Sequence, residues 1–127
     1  VAGMSSSYSM EGFDLQLNDG VIELRAQGER KAGSERAPAS AFTIIAKQLR
    51  SRLVLYDIRD ADYDLTATEW EERPRFVARL FKGYRVAYVI RSEQHAEANL
   101  ACEAHARNGD QARAFTSKSP ARDWLTG

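Results

Sequence analysis

Residues 84–125 read YRVAYVIRSEQHAEANLACEAHARNGDQARAFTSKSPARDWL, and this stretch decides the fold. Residues 84–90 are a nearly continuous apolar run, the pattern of a strand buried on both faces. Ser92 is a helix start signal, and the spacing predicts a helix over 93–107 that stops at Asn108-Gly109. A second strand is predicted over 111–116, and a final helix over 121–125 follows the start signal Ser119-Pro120. A strand, a crossover helix and a second strand require parallel pairing in one sheet. The unit fixes architecture and carries no catalytic constellation.

Outward from this unit, Leu53-Val54-Leu55-Tyr56-Asp57-Ile58 has the same apolar character and is predicted to lie beside 86–90 at the centre of the sheet. Residues 13–17 and 21–26 instead alternate apolar and polar positions around Asn18-Asp19-Gly20, which predicts an antiparallel hairpin. Its core face carries Phe13, Leu15, Leu17, Ile22, Leu24 and Ala26, and its other face is wet. Residues 28–39 read as a charged, mobile loop. A helix follows, with Pro38 in its first turn, a stripe of Phe42, Ile45, Ala46 and Leu49, and an end near Ser51. Residues 59–65 read as an acidic loop. Thr66 and Glu69 then form a capping box for a helix that Pro74 is expected to kink or divide. The prediction is a mixed, mostly parallel five-stranded α/β sheet with an N-terminal antiparallel hairpin and about four helices. Residues 12–127 form one domain, and residues 1–11, in which Val1-Ala2-Gly3 resembles a cloning remnant, are expected to fray.

A length of 127 residues suits one core. With 18 basic and 18 acidic residues the chain has no formal net charge, which argues against a nucleic-acid partner. No apolar run has transmembrane length, and Cys102 is the only cysteine, so a cytoplasmic location is expected.

Each candidate for chemistry has a plainer reading beside it. Asp60, Asp62 and Asp64, with Thr66, Thr68 and Glu71, imitate the spacing of a calcium loop, but Leu65 stands where the turn needs glycine. A solvated acidic loop at the C-terminal edge of a parallel sheet is the better reading, and such edges often hold ligand sites. His95 and His105 share the last long helix at about 80° apart, so they cannot chelate one ion. Cys102 beside His105 reads as a small buried thiol next to a surface histidine. No phosphate-binding glycine loop is present, and no cofactor is implied.

The element order, the Val86-Ala87-Tyr88-Val89 strand, the Ala106-Arg107-Asn108-Gly109 stop, and the ending Ala114-Phe115-Thr116-Ser117 with Trp124-Leu125 resemble the SpoIIAA-like proteins of the STAS superfamily. The resemblance covers roughly 13–125 by element order and the last third by residue pattern. It implies a (βα) superhelix and no enzyme. Anti-sigma-factor antagonists of that superfamily are switched by phosphorylation at a helix start, and Asp64-Leu65-Thr66-Ala67 occupies the similar place here. The resemblance thereby suggests Thr66 as a phospho-acceptor, which the free N–H groups of a helix start would accommodate. Other SpoIIAA-like proteins resemble lipid-transfer domains of the CRAL-TRIO kind, which implies an apolar cavity lined by Trp70, Phe76, Val77, Leu80 and Phe81.

The functional expectation is a non-enzymatic domain that binds a protein partner, with Arg59, Asp60, Asp62, Asp64, Thr66, Thr68 and Trp70 as the candidate surface. The alternative is a binder of a small apolar ligand or lipid. An enzyme using Asp57, Asp60 or Asp64 as a base ranks last, since no second catalytic group is visible. A homodimer through the open hairpin edge is a further expectation. A ligand binder should show a cavity of a few hundred cubic ångströms between helix and sheet, and a partner module a filled core with a flat exposed patch.

Overall fold

The structure is a computed structural model, and it describes residues 7–127. Six strands pair in chain order: β1 (Ser7–Met10), β2 (Phe13–Asn18), β3 (Val21–Arg30), β4 (Leu53–Tyr63), β5 (Arg85–Val89) and β6 (Ala112–Phe115). The helices are α1 (Arg36–Ala46), α2 (Ala67–Leu80), α3 (His95–Arg107) and α4 (Lys118–Thr126). β2 pairs antiparallel with β1 on one side and β3 on the other, and β3 to β6 are parallel.

The hairpin has the register its alternation demands, with Phe13 opposite Ala26, Leu15 opposite Leu24 and Leu17 opposite Ile22. Asp19 and Gly20 both take positive φ, 48° and 79°, as a two-residue turn matched to the strand twist requires. The apolar run of 84–90 and the stop after it also stand. Gly109 has a φ of 81°, and the Asp110 N–H returns to the His105 carbonyl at 3.0 Å.

Five expectations need correction. Residues 7–10 form β1 on the outer edge of β2 instead of fraying, so the sheet has six strands and not five. Residues 1–6 of the expected frayed end lie outside the described residues. The loop expected over 28–39 is the end of β3, a 3-10 turn at Ala32–Glu35 and the start of α1, tied down by the buried Arg30, which donates to the Ser34 carbonyl at 2.9 Å. The acidic loop expected over 59–65 is largely strand, since β4 runs on to Tyr63. α2 is one helix with Pro74 inside it and is not divided in two, and α1 ends at Ala46, before Ser51.

The helices divide unequally between the two faces of the sheet. α1, α2 and α3 cover one face, where Phe42, Phe81, Tyr56, Tyr88, Ile22 and Ala101 belong to one apolar core. Aromatic rings meet edge to face inside it, Phe42 to Phe81 at 5.0 Å and Tyr56 to Phe81 at 5.8 Å. α4 alone packs on the other face, where Ala121 and Leu125 meet Val21, Leu55, Ala87 and Val89.

Candidate functional site

The site arises from a mismatch in strand length. β5 pairs with β4 only as far as Asp57 opposite Val89, whereas β4 continues along β3 to Tyr63. Between Arg25 and Gln27 of β3, β4 advances from Asp57 to Asp60, so β4 holds one extra residue in a β-bulge. The bulge changes which residues face the helices. Beyond it, β4 has no strand neighbour on the β5 side, and its carbonyls there need other donors.

Side chains of the segment after β5 supply those donors. The Gln94 amide N–H₂ donates to the Ile58 carbonyl at 2.8 Å and the Ala61 carbonyl at 3.2 Å, while its oxygen accepts the Arg91 N–H at 2.9 Å. Arg91 donates to the carbonyls of Arg59 and Ala61 and to the carboxylates of Asp62, at 3.3 Å, and Glu93, at 3.1 Å. Gln94 is buried. These bonds satisfy the strand edge without filling the space above it.

That space is a partly open cavity of about 260 Å³. Its floor is Ile58, Ala61 and Tyr63 of β4 with Tyr88 of β5; α2 contributes Trp70, Pro74 and Val77, and α3 contributes Glu97, Ala98 and Ala101. The small side chains of α3 at 98 and 101 leave room opposite the large ones of α2. Tyr63 and Trp70 meet at 6.1 Å, nearly edge to face.

The charges of the wall are unequally satisfied. Arg73 is paired with Glu35 at 2.7 Å, both largely buried, and its guanidinium lies 4.1 Å from the centre of the Tyr63 ring. Arg91 is shared as described above. Glu97 has no hydrogen bond and no ion pair among the described residues, and one of its oxygens is shut off from solvent.

Beneath the cavity, the Tyr88 hydroxyl and His105 Nε2 are 2.7 Å apart. His105 is fully buried, which corrects the expectation of a surface histidine; it faces the sheet and stacks on Phe81 at 6.3 Å. Burial pushes its imidazole down to about 4 and pushes the Tyr88 phenol up, so both are neutral at pH 7. Burial also pushes the Cys102 thiol up to about 11, which keeps it protonated and unreactive.

The expected surface residues fall into separate groups. Asp62 and Trp70 line the cavity. Arg59 grips Asp57 through two side-chain bonds of 3.0 and 2.9 Å, and Asp60 pairs with Arg25 at 2.8 Å. Burial raises the Asp57 carboxyl, but the Arg59 guanidinium and N–H outweigh it and hold Asp57 below its ordinary value. Thr66 caps α2, its hydroxyl accepting the Glu69 N–H at 3.2 Å while Glu69 accepts the Thr66 N–H at 2.9 Å. Asp64 and Thr68 are exposed and line no part of the cavity. Among the described residues, no three His, Cys, Asp or Glu side chains are placed to hold a metal ion.

Of the five residues expected to line an apolar cavity, Trp70 and Val77 do so. Phe81 is core, while Phe76 and Leu80 border shallow clefts elsewhere. Sequence reading missed Ala61, Tyr63, Tyr88, Glu97, Ala98 and Ala101. The spacing of Ala98 and Ala101, on one side of a helix and too small to fill a groove, was the available signal.

No helix among the described residues is long and apolar enough to cross a membrane. No family model and no curated protein matches the sequence. A crystal structure of an uncharacterised protein of the DUF3478 family from Shewanella loihica PV-4, described as having a SpoIIAA-like fold, is similar to this chain throughout. The two share 16% identity and a TM-score of 0.60, with 98% of each chain covered. An antiparallel hairpin leading into parallel strands, with helices α1 to α3 on one face, is thus the SpoIIAA-like fold.

Proposed function

We propose that this chain is a non-enzymatic binding domain whose ligand is a small, mostly apolar molecule held between α2, α3 and the free end of β4. The observation that carries the reading is the cavity of about 260 Å³, close to the lower end of ligand-pocket sizes and walled mainly by apolar and aromatic groups. The sequence reading ranks a protein partner first. A partner module would offer a filled core and a flat patch, and the cavity favours the ligand instead. A second copy of the chain would have to pair through one of the short edge strands, β1 or β6, each of four residues, so self-association ranks below both.

An enzymatic reading has less support. Tyr88 and His105 hold their protons too tightly and too loosely, respectively, for proton transfer near neutral pH, and Asp57 is held ionised by Arg59. Phosphorylation of Thr66 has none beyond the resemblance, since its hydroxyl already caps a helix. We place the domain in a reducing cytoplasm, which a free thiol at Cys102 fits.

The test is titration with N-phenyl-1-naphthylamine, a neutral probe that brightens in apolar surroundings. Binding to the wild-type chain is expected, with loss of at least about ten-fold in affinity for Ala101→Phe, which fills the cavity, and none for Ile44→Ser on the exposed face of α1. Equal binding by Ala101→Phe, with its thermal midpoint unchanged, would sink the proposal.

A further inference from the structure

We infer that the ligand is an organic cation, an amine carried on an apolar or aromatic body, with Glu97 as its counterion. The inference rests on the cavity being a ligand site and adds the charge of the occupant.

The cations of the wall are already spent, although the Tyr63 hydroxyl has no hydrogen-bond partner among the described residues. Arg73 is held between Glu35 and the Tyr63 ring, and Arg91 is divided among two carbonyls and two carboxylates. The Gln94 N–H₂ is committed to the strand edge. A fatty acid or phosphate entering here would find no free cation. It would instead meet Glu97, the charged group of the wall that lacks an ion pair among the described residues. Glu35 neutralises Arg73 from outside the cavity, so Asp62, Glu93 and Glu97 together outweigh Arg91.

Glu97, with no hydrogen bond or ion pair among the described residues, is open to a bound ammonium as its partner. The walls around it suit the same guest. Trp70, Tyr63 and Tyr88 line the cavity, the Tyr63 ring already carrying Arg73, and aromatic π faces attract cations. An alkyl or aryl body would occupy the space beside Ala98, Ala101 and Val77.

Calorimetric titration of the full chain at pH 7 with three guests of similar shape tests this: 2-phenylethylamine, 2-phenylethanol and 3-phenylpropanoate. The amine should bind about ten-fold or more tighter than the alcohol, and the carboxylate weakest. Glu97→Gln should erase the ratio between amine and alcohol, and Glu97→Asp should restore part of it. The ratio is the readout because general damage to the site lowers both affinities together. A carboxylate that binds as well as the amine, or an amine preference that survives in Glu97→Gln, would overturn the inference. Alcohol binding equal to amine binding would overturn it and leave the ligand site standing. Failure of all three guests and of the naphthylamine probe would remove both.

Discussion

The two faces of the sheet treat their carboxylates differently. On the α4 face three carboxylates are answered: Glu23 by Lys118 at 3.3 Å and by Arg122, Asp57 by Arg59 at 2.9 Å, and Asp60 by Arg25 at 2.8 Å, while Arg85 lies over the Trp124 ring with its Nε unbonded among the described residues. On the α2–α3 face the two arginines are answered and Glu97 is not. The first face spends its polar groups on closing the fold. The second closes its core lower down, around Phe81, and keeps above it a space with one unanswered charge. Under the proposed reading, the difference separates structural charge from charge that a guest would answer.

The comparison can be pressed first at the two cores. Phe81→Ala, in the larger core, should lose about 3–5 kcal/mol in denaturant unfolding, and Leu125→Ala under α4 only about 2–3 kcal/mol. Equal losses would mean that α4 matters to the fold as much as the three-helix face does.

Acid should act through the cavity face. The folded His105 imidazole sits at about 4 against an ordinary 6.5, so between those values the unfolded chain binds more protons. Stability is therefore full above about pH 6.5 and falls as the pH is lowered towards 4, by about 3 kcal/mol across the window. Asp57, held low on the other face, adds its own loss only below the ordinary carboxylate value of 3.8. Unfolding midpoints at pH 7, 6, 5 and 4 measure this slope, and His105→Gln should flatten it.

A smaller effect discriminates more sharply. Glu23→Gln breaks contacts to two cations around a largely buried carboxylate and should cost about 1–3 kcal/mol. Glu97→Gln removes a charge that has no partner and should cost nothing, or stabilise the unliganded chain by up to about 1 kcal/mol. If the two variants are equally destabilised, the contrast between the faces is false. Smallest of all, Thr66→Ala should cost about 1 kcal/mol through the lost cap of α2, read from the thermal midpoint.

Much of the fold was legible because its signals are local. The capping box of Thr66 and Glu69, the Asp19-Gly20 turn and the Asn108-Gly109 stop each need only neighbours in sequence. The misreadings share one cause. Ser7-Tyr8-Ser9-Met10 alternates over only four residues and leaves Tyr8 exposed, so β1 rests on its backbone pairing with β2 more than on burial. Arg59 to Asp62 look like loop because a bulge interrupts the two-residue period and because these residues continue a strand whose neighbour has ended. The cavity is the extreme case. Its lining comes from β4, α2, β5 and α3, and Glu97 is notable only through what fails to reach it.

The central claim is that the space between α2 and α3 is a ligand site. Amide chemical-shift mapping in a ¹⁵N-labelled chain titrated with N-phenyl-1-naphthylamine tests it most directly. Saturable shifts centred on Ala61, Trp70, Val77, Ala98 and Ala101 are expected, with α4 and β1 unmoved. Shifts centred on α4 or the β1 edge, or none at saturating probe, would contradict it.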